Sequence, residues 1–247
     1  MRVGIVGGGA MGSWLKREIS KLHEARVYDT DPAKRDVESL EELAKWAEVV
    51  IVAVPFWLTA DVLRQLGGHA GGRLVMDIAT FKEGLEEAYA SLPPDAEAAS
   101  VHPMFGPGAP SLRGQRVLVM EVPGRRGAER AFRFWQELGA DVQWADFRKH
   151  DRYVSVTIAL SYAVGLALAR VYEEVGEELF KYGGTSFMYL STYAFSLLKD
   201  PNAWRYAEKA PLEQFFEALR SKDIPKPLVD PEEAYRQFYQ ALGCMFK

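Results

Sequence analysis

The sequence predicts an α/β protein in two parts, a doubly wound sheet over residues 1–148 and a smaller all-helical domain over residues 149–247. Three observations predict it. Short apolar runs rich in β-branched residues alternate with helical patterns through the first 145 or so residues. Several of those runs are apolar without alternation, as parallel strands covered on both faces are. After about Lys149 the strand punctuation stops and the apolar segments lengthen.

The predicted strands, in order, are Arg2–Val6, Ala25–Tyr28, Val49–Val54, Arg73–Asp77, Ala98–His102, Arg116–Glu121 and Asp141–Trp144. A helix is expected over Met11–Ile19, a second opening at Ser39 with Glu42 at capping-box spacing, and a third near Thr59, just after Pro55. This spacing of β and α segments specifies a sheet with helices on both faces. Beyond residue 149, Tyr153–Val175 is one long apolar segment and Ala203–Leu219 is amphipathic. Asp230–Met245 carries Pro231 where a first helical turn accepts it. The aromatic and aliphatic residues Phe187, Met188, Tyr189, Leu190, Tyr193 and Phe195 predict an apolar surface that a second copy covers, hence a homodimer through the helical domain.

Composition narrows the function classes. Hydrophobic residues make up 48% and charged residues 26%, an ordinary globular balance. With a net charge of −4 and scattered Lys and Arg there is no footprint for nucleic acid. No apolar run reaches the roughly 18 residues of a membrane span, and the glycines after Val6 come too soon for a signal peptide. Cys244 is the only cysteine, so neither a disulfide framework nor a thiolate metal site is expected. These points predict a cytoplasmic protein.

Gly7, Gly9 and Gly12 form G-x-G-x-x-G directly after the first strand and at the head of the first helix, with Ala10 and Met11 between them. The bare pattern is weak, but this context is the one a Rossmann-type dinucleotide site requires. Gly7 permits the tight turn, Gly9 lets a pyrophosphate approach the backbone, and Gly12 lets helix and strand pack closely. The helix N-terminus then offers free N–H groups to phosphate. Asp29 ends the second strand seventeen residues after Gly12, where an acid accepts ribose hydroxyls and repels a 2′-phosphate. NAD is therefore the predicted cofactor, with Lys34 and Arg35 close enough to keep NADP open; the competing account is a turn cluster with a turn aspartate. Pro55, at the end of the third strand, borders the same crevice.

Ligands in such sheets lie beyond the carboxyl ends of the strands. His102 ends the fifth strand and is one of four histidines, with His23, His69 and His150. Position alone leaves it balanced between a base and a histidine satisfied by local backbone. The residues that follow, His102-Pro103-Met104-Phe105-Gly106-Pro107 with Pro110–Gln115 behind them, closely resemble the prephenate dehydrogenase family, its archaeal members most. Asp77–Lys82 is similar to the family's D-x-x-S-V-K, with Thr80 for serine and Phe81 for valine. Lys149-His150-Asp151 is similar to a K-H-D opening the long helix of the second domain, and Asp200-Pro201 with Trp204 to a D/N-P-x-x-W/Y segment.

The resemblance implies NAD(P)-dependent oxidative decarboxylation of prephenate to 4-hydroxyphenylpyruvate, in tyrosine biosynthesis. His102 would take the proton of the ring hydroxyl, Thr80 would keep a hydroxyl beside nicotinamide and substrate, and Trp204 would wall the substrate pocket. Its competing account is a buried core tryptophan. Tyr162, Arg113 and His150 are further substrate-site candidates, although a capping or hinge role is the simpler account of His150. Two departures stand out: the family's pocket histidine maps onto Tyr162 and its carboxylate-binding arginine onto Phe195. A dianionic substrate then needs another cation, from Arg113, Arg116, Lys82, Arg152, Lys199 or Arg205, each of which is also explained as a solvated charge. Arogenate in place of prephenate, a β-hydroxyacid dehydrogenase or imine reductase of the same architecture, and a cofactor-binding regulatory protein that has lost turnover are the alternatives.

Overall fold

A computed structural model describes residues 1–221 and 224–245, with side chains through 241. The chain divides into two compact units, Met1–Asp151 and Arg152–Lys247.

The first unit is a seven-stranded sheet: β1 (Arg2–Val6), β2 (Glu24–Tyr28), β3 (Val49–Val52), β4 (Leu74–Asp77), β5 (Glu97–Pro103), β6 (Arg116–Glu121) and β7 (Asp141–Ala145). All seven expected strands are present, in the spatial order β2-β1-β3-β4-β5-β6-β7. The chain adds β2 on one side of β1 and returns past it to β3, so the topological switch point falls between β1 and β3. Pairing is parallel except between β5 and β6. That reversal follows from the connection, since residues 104–115 contain no helix and a parallel crossover needs one.

Side-chain parity divides the core in two. Val3, Ile5, Val49, Ile51, Leu74, Met76, Ala99 and Val101 face α1 (Ala10–Ile19) and α5 (Ala128–Glu137). Val6, Val50, Val52, Val75 and Ala98 face α2 (Leu40–Trp46), α3 (Phe56–Leu66) and α4 (Leu85–Ala90). Burial on both faces is why β3 and β4 read as unbroken apolar runs. α2 begins as expected: the Ser39 hydroxyl accepts from Glu42 N at 3.1 Å. The return arm of the box misses by one residue, because the Glu42 carboxylate accepts from Glu38 N.

The unit closes with the start of α6 (Phe147–Val154), capped by Asp146, whose carboxylate accepts from Arg148 N and Lys149 N. The helix thus opens three residues before His150, earlier than the K-H-D segment suggests. It continues through a π-helical turn at Ser155–Ala159 into α7 (Leu160–Val175). Phe147–Val175 is one helix of 29 residues, long and apolar enough by length and composition to cross a membrane. This corrects the sequence expectation, which sought an uninterrupted apolar run and passed over a helix whose apolar stretch includes scattered hydroxyls and one arginine. Ser155, Thr157 and Ser161 donate to backbone carbonyls one turn back, which hides their polarity.

In the second unit α7 packs on α9 (Thr185–Leu197) and α10 (Ala203–Ala207), with the short α8 (Leu179–Tyr182) between α7 and α9 in the chain. The single amphipathic segment expected over Ala203–Leu219 is two helices, α10 and α11 (Leu212–Ser221). Pro211 divides them, because it supplies no N–H and disfavours helical backbone at Ala210. α12 (Pro231–Met245) starts at its proline, with the Asp230 carboxylate accepting from Glu232 N and Glu233 N.

Candidate active site

The glycine loop sits where β1 meets α1 at the switch point. Gly7 has φ +108°, and a Cβ there would lie 2.6 Å from the Ala53 carbonyl oxygen. A Cβ on Gly12 would overlap the Gly7 carbonyl, so only glycine lets α1 approach β1 this closely. A Cβ on Gly9 would meet nothing within 4 Å. Gly9 is also the N-cap of α1 and provides no side-chain cap, leaving first-turn N–H groups for another acceptor. Gly9 and Ala10 are exposed and Met11 half-buried. The Asp29 carboxylate closes the loop from the end of β2, accepting from Gly8 N at 2.6 Å and Asp31 N at 2.8 Å. These residues fit a dinucleotide: open space where its phosphates would lie, unpaired donors facing that space, and an acid one strand away. Pro55 caps α3 and is exposed at the end of β3.

A second cluster gathers at the same edge of the sheet. The pairs Val6–Val52, Val52–Asp77 and Asp77–Ser100 form one rung, and His102 lies two residues beyond it. Asp77, Ser100 and His102 share the parity of the α2–α4 face. Asp77 is fully buried and its carboxylate is saturated: Oδ1 accepts from Tyr89 OH (2.8 Å) and Ser100 Oγ (2.6 Å), Oδ2 from Ala79 N (2.9 Å) and Lys82 Nζ (2.5 Å). Lys82 Nζ also donates to the Val101 carbonyl at 2.8 Å. Lys82 is thus a buried structural cation and leaves the set of candidates for a substrate carboxylate.

His102 is 4% exposed. Its Nδ1 lies 2.9 Å from His150 Nε2, and His150 Nδ1 lies 2.8 Å from Asp151 Oδ1. Asp151 is itself held by Lys82 N (2.9 and 2.8 Å to its two oxygens) and Glu83 N (2.9 Å). Burial, then the Lys82 charge and His150, holds His102 well below the usual histidine range, so its imidazole is neutral at neutral pH. Burial also lowers His150, against the pull of Asp151. Hydrogen bonds from His150 and the Lys82 and Glu83 amides outweigh burial and lower Asp151. His102 Nε2 makes no hydrogen bond among the described residues. A neutral imidazole with one nitrogen anchored and the other unpartnered is equipped to accept a proton.

Thr80 lies half-buried in the loop after β4, between Asp77 and Lys82. Residues 104–115 are fastened to α1: Trp14 Nε1 donates to the Ala109 carbonyl at 2.8 Å, and Leu112 N donates to the buried Glu18 carboxylate at 3.1 Å. The Trp14 and Phe105 rings pack with centroids 5.2 Å apart. Arg113 is exposed beside Gly139, and Arg116 pairs with Asp141 at 3.7 Å. Tyr162 and Trp204 belong to the second unit, where the Tyr162 ring packs on Tyr206, with centroids 4.9 Å apart. Trp204 is 48% exposed under the Arg205 guanidinium, so it is not a buried core tryptophan within its own unit. Phe195 lines an apolar groove of about 660 Å³ with Leu166, Tyr172, Phe180 and Leu198. Sequence reasoning missed the link from His102 to His150. The signal was Asp146, which caps the helix and brings His150 into its first turn.

The family model for the nucleotide-binding domain of prephenate dehydrogenase matches residues 16–143. The chain belongs to the prephenate dehydrogenase family. Its relatives include a protein of Methanocaldococcus jannaschii described as a probable arogenate/prephenate dehydrogenase, 26% identical over 200 residues. That match covers 72% of this chain and 44% of the relative, so the chain corresponds to less than half of the relative's length. Prephenate dehydrogenase from Aquifex aeolicus, solved with hydroxyphenyl propionate and NAD+, superposes with a TM-score of 0.71 at 19% identity, over 100% of this chain and 94% of that one. Arogenate dehydrogenase from Synechocystis gives 0.62 at 16% identity, over 90% of each chain. At such identities these structures speak for a shared fold.

Proposed function

We propose that this protein is a dehydrogenase of the prephenate/arogenate class, using NAD to drive oxidative decarboxylation of a ring-hydroxylated cyclohexadienyl acid. The observation that carries the reading is His102: a buried, neutral imidazole at the carboxyl edge of the sheet that holds the glycine loop, with Nε2 unpartnered. NAD, when bound, supplies the acceptor for the hydride. Gly7, Gly9, Ala10, Met11 and Gly12 would hold its phosphates, with Pro55 beside them, and Asp29 would take the adenosine ribose. His102 Nε2 accepts the ring-hydroxyl proton as the same carbon gives up its hydride; carbon dioxide leaves and the ring becomes aromatic. The residue then carries the proton as an imidazolium, and Thr80 offers a hydroxyl near the same carbon. Lys34 is paired with Asp31 at 3.0 Å and Arg35 with Glu38, which leaves a 2′-phosphate without a free cation from either and favours NAD.

Prephenate is the preferred substrate of this reading, and arogenate, with an amino group for the keto group, is the competitor. Trp204, Tyr162 and Arg113 are the proposed substrate contacts besides His102. The exposed apolar side chains of the second unit support a homodimer through that unit; a cytoplasmic location goes with this reading as a biosynthetic enzyme. The test is NADH or NADPH formation with each substrate and each cofactor. Turnover of prephenate with NAD above the other pairs is expected; binding of NAD with no turnover of either acid would favour a regulatory protein, for which Phe195 at the family's arginine position is the motive.

A further inference from the structure

The chain Asp151–His150–His102 has a direction, and the direction determines which nitrogen of His102 is free to act. An ionised carboxylate only accepts hydrogen bonds. Asp151 is ionised, because two backbone amides and His150 stabilise its charge. His150 must then place its proton on Nδ1, 2.8 Å from Asp151 Oδ1, which leaves a lone pair on Nε2. That lone pair faces His102 Nδ1 at 2.9 Å and fixes the His102 proton there. Nε2 of His102 is left bare. The opposite orientation would set a bare Nδ1 of His150 against a carboxylate oxygen, with two lone pairs facing each other in a buried site. Without the chain, the Nε2–H form would compete and His102 would present a donor where a base is needed.

We infer that His150 and Asp151 are positioning residues that hold His102 in its Nδ1–H tautomer, leaving Nε2 unprotonated to receive the substrate proton. The inference rests on the reading of His102 as the base. The groups around the pair are Lys82 from the β4–α4 loop, Asp77 from β4, and His150 and Asp151 from α6, and each has a defined part. Lys82 is bonded to Asp77 and discourages a resting charge on His102. Asp151 supplies the one negative charge at the end of the chain. When His102 takes a proton on Nε2 it keeps its Nδ1–H bond to His150, and the Asp151 charge, transmitted through the polarised His150, stabilises the imidazolium. No atom of the chain has to move for this. Asp151 gains rigidity from bonding to the backbone of the very loop that carries Lys82.

Two measurements on the full chain test this. The first is nitrogen-15 NMR of the histidine rings at pH 7.5, which reports tautomers without substrate or cofactor. Wild type is expected to show His102 as Nδ1–H. His150→Leu should shift it to a mixture with Nε2–H, and His150→Gln, whose side-chain oxygen still accepts, should keep most of it as Nδ1–H. The second is steady-state kinetics. His150→Leu is expected to lose about 10²-fold in kcat, the low end for a mispositioned base, with KM within about threefold. His150→Gln should recover at least tenfold of that loss. An Nε2–H tautomer in the wild type, or a tautomer that is the same in all three folded proteins, overturns the inference. If the tautomers behave as expected while no cyclohexadienyl acid is turned over by wild type, the functional reading fails and the positioning assignment stands.

Discussion

The two units handle bulk in opposite ways. In the first, Trp14, Trp135, Tyr89 and a set of branched aliphatics are completely buried between sheet and helices. In the second, the buried positions are mostly small: Ala159, Gly165, Ala169, Ser191, Ala194 and Ala203. A Cβ on Gly165 would lie 2.6 Å from a Leu197 methyl, so α7 and α9 meet over small residues. The large side chains point outward instead, Tyr182 at 77% exposure and Phe180 at 50%, with Val171, Val175, Leu198 and Leu219. A sheet covered on both faces completes its own core. Helices joined through alanine and glycine pack closely yet leave their apolar bulk for some other surface. One unit therefore encloses its apolar bulk, and the other leaves it exposed.

Substitutions in the first unit should separate chemistry from stability, and His102→Asn is the sharpest. It is expected to keep the fold and NAD affinity while losing roughly 10²–10⁴ in kcat, the contribution of a positioned base. Stopped-flow or steady-state assays of folded variant would check it, and turnover within a few-fold of wild type would move the base elsewhere. Next come two glycines three residues apart in the same motif but opposite in role. Gly12→Ala forces a methyl into the Gly7 carbonyl and should destabilise by about 1–3 kcal/mol or more, read as a lower Tm. Gly9→Ala has room in the fold, so Tm should hold while calorimetry shows weaker NAD binding.

The pH dependence should also belong to the first unit. His102 and His150 both have lowered pKa values when folded, so the unfolded chain binds more protons between those values and the ordinary histidine value of about 6.5. Stability is then full above about pH 6.5 and falls as pH drops below it. Urea titrations at pH 7.5 and 5.5 would show this, and His102→Asn should flatten the difference. For the same reason the acid limb of kcat/KM should lie below the ordinary histidine value. The smallest effects are expected from the second unit's surface. Phe180→Glu should leave the first unit's melting and His102 chemistry unchanged but weaken self-association, about ten- to a hundredfold for the loss of one apolar anchor of roughly 1.5–3 kcal/mol. Light scattering of the wild type as a monomer at micromolar concentration would instead break the contrast between the units.

The same contrast explains what was legible in the sequence. Strands buried on both faces announce themselves as apolar runs, and glycines with steric reasons stand in a recognisable order, so the sheet, the loop at Gly7–Gly12 and Asp29 could all be read in advance. The antiparallel β6 was implicit in the helix-free stretch between His102 and Arg116. Long-range pairings were not legible: nothing local to Lys82 says that it is buried on Asp77, and nothing local to His150 says that it meets a residue 48 positions earlier. In the second unit periodicity was blunted, since small buried residues and bulky exposed ones weaken the apolar stripe. The break at Pro211 was passed over although the proline stands in the sequence, and the apolar length of the Phe147–Val175 helix was passed over because hydroxyls and an arginine interrupt the run.

The fastening of residues 104–115 to α1 has a mechanical consequence. α1 begins at Ala10, with Gly9 as its N-cap, and one turn further on Trp14 and then Glu18 grip the loop that follows His102. The helix is therefore a strut with the glycine loop at one end and the loop beyond His102 tied along its length. A strut of ten residues is about 15 Å long and resists bending over that span. Displacements of the glycine turn and of residues 104–115 are then expected to be coupled through the helix. Trp14→Ala would cut the tie near its middle, and the two ends would begin to move out of step.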